Sequence, residues 1–211
     1  GTATITGPGD PFATAAFADG LFVPQDPASL RIVDLVAVEP GMRVLDLCAG
    51  RGIKATALAD RGAEVVAADV DARKLEACEA LAKKLGLADR VTTKVADGSD
   101  ASLELGSFDR VLVDAPCTGL GTLRRHPEIA WRRRPEDVPR MAELQQRLLA
   151  TGARQVAPGG LLVYAVCTFT EAEGPPEALS GFTQQTTLST RPSEELDAFQ
   201  AAAWRREQTI D

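Results

Sequence analysis

The chain has 211 residues, 45% hydrophobic and 25% charged, which suits one well-filled globular core. No apolar run approaches the ~18–20 residues of a membrane span, and the opening GTATITGPGD lacks the basic-then-apolar pattern of a secretion signal. A net charge of −7 speaks against a nucleic-acid partner, and four scattered cysteines without a CxxC pair, with a single His, leave neither a disulfide framework nor a metal site, so a reducing cytoplasmic setting is expected.

In chain order, residues 1–24 are rich in Gly, Pro and Ala and show no strong period. Asp26-Pro27 then reads as an N-cap with proline in the first helical turn, and Leu30, Val33, Leu35 and Val36 follow at helical spacing. Pro40-Gly41 closes that helix with a turn. Arg43–Leu47 (RVLDL) is a short aliphatic strand, followed by CAGRG and a helix from about Ile53 to Asp60. Glu64–Ala68 is a second strand ending at Asp69, and Asp71–Leu85 a helix ending near Gly86. Arg90–Val95 is a third strand ending at Asp97-Gly98, and Phe108–Val113 a fourth. Pro139–Gln155 is a long helix, with Met141, Leu144, Leu148 and Leu149 on one face. Pro158-Gly159-Gly160 turns the chain into a fifth strand, Leu161–Val166. Beyond Thr170 the pattern fades: Gly181–Thr190 reads as one polar strand and Ser193–Arg206 as a helix.

Strand and helix alternate, and the strands are continuous aliphatic runs. That combination predicts a doubly wound, mainly parallel α/β sheet covered on both faces. Such sheets bind ligands at the carboxyl ends of their strands. There the glycine turn Cys48-Ala49-Gly50-Arg51-Gly52-Ile53-Lys54 opens a helix, with Gly50 and Gly52 allowing close backbone approach. Asp69 ends the second strand, where a carboxylate accepts from ribose hydroxyls, and Asp97 ends the third, where an adenine amino group is read. The stretch Asp46–Lys54 is therefore expected to hold an adenosine-containing ligand, and since Gly50, Gly52 and Ala55 satisfy G-x-G-x-x-A a dinucleotide stays open.

The fourth and fifth strands both stop at a cysteine, in DRVLVDAPC and LLVYAVC. As neighbours about 4.8 Å apart, they would bring Cys117 and Cys167 out side by side. A basic strip follows. Between Arg124 and Arg140 six arginines face three acids, giving +3 against −10 for the rest of the chain. Such a strip is a candidate phosphate footprint.

Asp114-Ala115-Pro116-Cys117-Thr118-Gly119 resembles the DAPCSG motif of the RNA cytosine-5 methyltransferases of the RsmB/Sun type, and Tyr164-Ala165-Val166-Cys167-Thr168 resembles their YxTCS motif. Arg124-Arg125-His126-Pro127-Glu128-Ile129 with Trp131 is similar to the RRHPDIKW stretch of the bacterial 16S rRNA enzymes, and Phe22–Ser29 to the family's VQDPAS segment. The resemblance implies a Rossmann-like class I S-adenosylmethionine-dependent methyltransferase acting on cytosine C5 in RNA, of the 16S rRNA class. It implies Cys167 as nucleophile, Cys117 in product release and Asp114 at the base. It implies donor contacts at Cys48, Ala49, Gly50, Arg51, Gly52, Ile53, Lys54, Asp69, Asp97 and Asp114. Arg124, Arg125, Arg132, Arg133 and Arg134 would hold RNA phosphates, in a monomeric protein.

The chain departs from the family at AAPGGK, where it reads Ala49-Gly50-Arg51-Gly52-Ile53-Lys54, and shows no DGFF-type final strand. The expected organisation is a lead-in over 1–29, a catalytic core over 30–173 and an atypical tail over 174–211, all in one domain, with the sheet lacking its C-terminal antiparallel edge. Three other readings stay open. An amino-nitrogen methyltransferase would carry a Pro-Pro-aromatic motif after the fourth strand. A nicotinamide dehydrogenase would use the same glycine loop. A non-catalytic RNA- or nucleotide-binding remnant would explain the altered loop and tail.

Overall fold

The computed structural model describes residues 9–193 and 195–208; the first eight residues of the lead-in and the last three of the tail lie outside them. The elements are helices α1 (Ala15–Ala18), α2 (Pro27–Leu35), α3 (Ile53–Asp60), α4 (Ala72–Lys84), α5 (Ile129–Arg132) and α6 (Asp137–Arg154). The strands are β1 (Arg43–Asp46), β2 (Glu64–Asp69), β3 (Val91–Val95), β4 (Phe108–Asp114), β5 (Val156–Val166), β6 (Phe182–Ser189) and β7 (Gln200–Arg206). They form one sheet in the order β3-β2-β1-β4-β5-β7-β6. Pairings from β3 through β5 are parallel, and β7 runs antiparallel to both β5 and β6.

Successive side chains of a strand point to opposite faces, so a strand buried on both faces must be apolar at every position. β5 shows this. Leu161, Val163 and Ala165 join α2, α3 and α4 in one apolar cluster, while Leu162, Tyr164 and Val166 join Leu148 and Leu149 of α6 in the other. Each fully buried Leu or Val contributes about 1.5–3 kcal/mol. Gly152 lets α6 settle on β4, since a Cβ there would lie 2.6 Å from Val113 Cγ2. The caps behave as read: the Asp26 carboxylate accepts from the Ala28 amide, with Pro27 in the first turn of α2.

Three expectations are corrected. The antiparallel edge is present, formed by β6 and β7. The polar strand read over 181–190 is β6, but no helix spans 193–206, because 200–206 is β7. Its sequence, QAAAWRR, favours a helix by propensity. Inserted between β5 and β6, however, Ala201 and Ala203 pack on one face and Ala202 and Trp204 on the other. Finally, Pro158-Gly159-Gly160 is no turn before β5. It is an irregularity inside the strand, where the register slips from Phe108↔Val156 to Arg110↔Leu161, and Gly159 takes φ +73° to accommodate it.

Among the described residues no helix is long and apolar enough to cross a membrane, and no group of three or more His, Cys, Asp or Glu could hold a metal ion.

Candidate active site

Parallel pairing places Asp114 beside Ala165. Each strand runs on for two or three residues to its cysteine, and the two sulfurs meet: Cys117 Sγ lies 3.3 Å from Cys167 Sγ. At that distance one thiol shares its proton with the other. The shared hydrogen bond from Cys117 lowers the Cys167 pKa below that of an ordinary thiol against the pull of burial, and the nearby Lys54 ammonium adds to the lowering. The same bond, with burial, pushes Cys117 far up. The pair is thus split into a thiolate-prone sulfur on β5 and a proton-holding sulfur after β4.

Beside the sulfurs sits a charged cluster on β1, α3 and β4. Lys54 Nζ lies 2.5 Å from Asp114 Oδ2. Burial lowers the Lys54 pKa, but Asp114 outweighs it and the net shift is upward. Lys54 also lies 5.6 Å from the centroid of the Phe199 ring. Behind the ion pair Asp46 ends β1, 1% exposed, with neither carboxylate oxygen hydrogen-bonded. Burial, and then the Asp114 charge, raise its pKa to about 7. A buried polar group without partners is costly, and a cationic or hydrogen-bond-donating ligand group would relieve that cost. Asp46 was legible only as the end of a strand; nothing in its sequence context signals that its oxygens stay unpaired.

The glycine turn divides into two functions. A Cβ on Gly50 would meet open space, in keeping with ligand approach. Gly52 also has a packing role. It takes φ +82°, and a Cβ there would overlap the Cys78 sulfur and come within 2.9 Å of the Cys78 Cβ on α4. Cys48, Ala49, Ile53 and Lys54 are half-buried around the turn and Arg51 is exposed. Asp69 accepts from the Gly50 amide at 2.9 Å and from the Asp71 amide at 2.9 Å, so it also fixes the loop. Asp97 is exposed and accepts from the Ser99 amide and hydroxyl, which lower its pKa. Beside these acids Val70 and Val95 are 68% and 59% exposed.

Both cysteine loops hang on Glu173, which the sequence reading passed over in EAEGPPEAL. Glu173 is fully buried and accepts from the Thr118 amide at 2.7 Å, the Thr118 hydroxyl at 2.6 Å, the Thr170 hydroxyl at 2.7 Å and Gln145 Nε2 at 3.2 Å. Tyr164 donates its hydroxyl to the Glu173 carbonyl at 2.8 Å. Thr118 and Thr168, each following a cysteine, share a 3.0 Å hydrogen bond.

The basic strip splits as well. Arg124 and Arg125 bond the buried Asp197 and face Asp26, so their charge is largely spent inside the protein. Arg133 donates to the carbonyls of Thr118 at 2.8 Å and Cys117 at 3.3 Å, clamping the cysteine loop. Of the five arginines, only Arg132 and Arg134 keep exposed guanidinium groups without an ion pair or hydrogen bond among the described residues. The tail thus enters the site through Asp197, through the Ala198 amide bonded to the Gly121 carbonyl, and through Phe199 under Lys54.

Residues 33–209 match the family model of the 16S rRNA methyltransferase RsmB/F. The ribosomal RNA small subunit methyltransferase B of Thermus thermophilus is 50% identical over 151 residues, covering 72% of this chain and 37% of that protein. Among solved structures, PH0851 superposes with a TM-score of 0.84 at 30% identity, over 95% of this chain and 50% of that one. A methyltransferase homologue protein from Pyrococcus horikoshii superposes with a TM-score of 0.76 at 27% identity, over 95% and 73%. The chain spans well under half the length of the curated relatives it matches.

Proposed function

The chain belongs to the RsmB/F family of 16S rRNA methyltransferases, and from that premise we propose that it methylates C5 of a cytosine in RNA, of the 16S rRNA class, using S-adenosylmethionine and a transient bond from Cys167 to C6. The observation that carries this reading is the 3.3 Å approach of the Cys117 and Cys167 sulfurs beside the Lys54–Asp114 pair.

The residues fit the donor. Asp46 offers two unpartnered buried oxygens to an ammonium group, and Gly50 leaves its backbone open to close approach. Asp69 and Asp97 keep spare acceptor capacity for ribose hydroxyls and an adenine amino group, and the exposed Val70 and Val95 offer apolar surface to a ring. Bound there, the donor supplies an electrophilic methyl carbon.

The protein's task is to make cytosine C5 nucleophilic. When the Cys167 sulfur bonds to C6, the C5–C6 π electrons move onto C5. Asp114, held as a carboxylate by Lys54, accepts a hydrogen bond from the amino group at the polar edge of the base. The Lys54 charge and the Cys117 thiol favour the Cys167 thiolate before attack. Once Cys167 is bonded to carbon its sulfur carries no charge, and the interaction that most firmly held the Cys117 proton is gone. Cys117 loses that proton to solvent and its thiolate accepts the C5 proton of the methylated ring. The C5–H electron pair restores the C5–C6 double bond, the C6–S bond breaks, and its electrons return to Cys167. The target base must leave its stack to reach the pocket. In this reading the catalytic core is wider than 30–173, because Asp197 and Phe199 support the site from the tail.

The test is a trapping experiment with donor and cytosine-containing RNA. Cys117→Ala accumulates a denaturation-resistant protein–RNA adduct, and Cys167→Ala forms none. Methylation by Cys167→Ala would overturn the assignment.

A further inference from the structure

We propose that Trp131, followed in the chain by the exposed Arg132 and Arg134, is a stacking platform for a nucleobase of single-stranded RNA next to the target cytosine. The inference rests on the RNA reading above and adds a surface to it.

Trp131 is 91% exposed, the most exposed large apolar side chain among the described residues. A bare indole contributes nothing to the core, so its place needs another reason. Its surroundings are ordered by the active site. Two residues before it Ile129 packs on the cysteine loop, where a Cβ on Gly119 would lie 3.2 Å from Ile129 Cδ1. Two residues after it Arg133 donates to the carbonyls of Thr118 and Cys117. The short helix α5 is therefore fastened to the Cys117 loop on both sides of Trp131, and the indole stands out at the rim. Arg132 and Arg134, the exposed pair left uncommitted by the strip, follow it in the chain. An aromatic face accepts any base, and exposed guanidinium groups one and three residues on suit adjoining phosphates. An apolar protein partner would leave two arginines to be desolvated at its edge, so single-stranded RNA is the better match.

The chain has two tryptophans, and Trp204 is fully buried. Quenching of solvent-exposed emission therefore reports Trp131 alone. The experiment titrates a fluorescently end-labelled, cytosine-containing single-stranded RNA, following anisotropy for binding and tryptophan emission for stacking. The expected result is quenching that tracks binding, affinity on the order of tenfold weaker in Trp131→Ala, and recovery of most of that loss in Trp131→Phe. Abasic nucleotides flanking the cytosine bring the wild-type protein to the Trp131→Ala level. The double substitution Arg132→Ala, Arg134→Ala keeps the quench and flattens the salt dependence. Binding without quenching, or equal affinity in Trp131→Ala, overturns the platform and leaves the methylation reading intact. No RNA binding by anisotropy overturns both.

Discussion

Replacing Asp46 with Asn tests the unpaired carboxylate directly. Its folded pKa of about 7 lies above the ordinary 3.8, so the native state keeps a proton that the unfolded chain releases. Stability is then full below about pH 4 and falls as pH rises toward 7, the reverse of a salt-bridged aspartate. The gap amounts to about 4 kcal/mol at neutral pH, a large share of the ~5–15 kcal/mol that holds a domain together. Asn does not titrate, and whatever its buried amide costs is the same at every pH. Urea denaturation of both proteins from pH 4 to pH 8, without donor, should give a difference curve that rises in favour of Asp46→Asn by roughly that amount. Calorimetry adds a second reading. Donor affinity should tighten in the wild-type protein as Asp46 ionises toward pH 8 and stay flat in the variant. Parallel stability curves, or donor affinities with the same pH dependence in both, would refute the view that Asp46 is a buried acid awaiting a cation.

Cysteine alkylation against pH should show Cys167 titrating below an ordinary thiol, and Cys117→Ala should move that titration upward by removing the shared proton; an unmoved profile would mean the sulfurs act independently. Glu173→Gln turns an amide NH2 toward a cluster of donors and should cost about 2–3 kcal/mol. It should also speed alkylation of Cys117, and an unchanged urea midpoint would deny the anchoring role. Gly52→Ala combines φ +82° with overlap on Cys78 and should lose about 2–4 kcal/mol. Adding Cys78→Ala removes the sulfur but keeps the Cβ at 2.9 Å, so it should recover part of the loss and leave the residual contact on top of about 1–2 kcal/mol of backbone strain; no recovery in the double variant would place the conflict elsewhere.

The parallel half of the fold was legible because strands buried on both faces must be aliphatic at each position, as in EVVAA and LLVYAV. The cysteines were legible because each closes such a run. The arginines were legible only as charge: sequence spacing does not say that Arg125 meets Asp197, some seventy residues away, or that Arg133 turns inward to the carbonyls of the cysteine loop. Glu173 looked like one acid in a proline-broken stretch, since burial of a carboxylate is decided by the donors that surround it.

Local pattern was enough for the glycine turn, the acids at the strand ends and the two sulfur-bearing strand ends, because each is written within one or two consecutive elements. Assembly alone decided that Ala201–Trp204 would be extended, since alanine's helical preference is worth a few tenths of a kcal/mol per residue and the open slot between β5 and β6 offers every backbone group a partner and burial on both faces. Assembly likewise brought the two sulfurs to 3.3 Å, left Asp46 without a partner and carried Phe199 under Lys54. Those are distances between segments far apart in the chain, and only packing sets them.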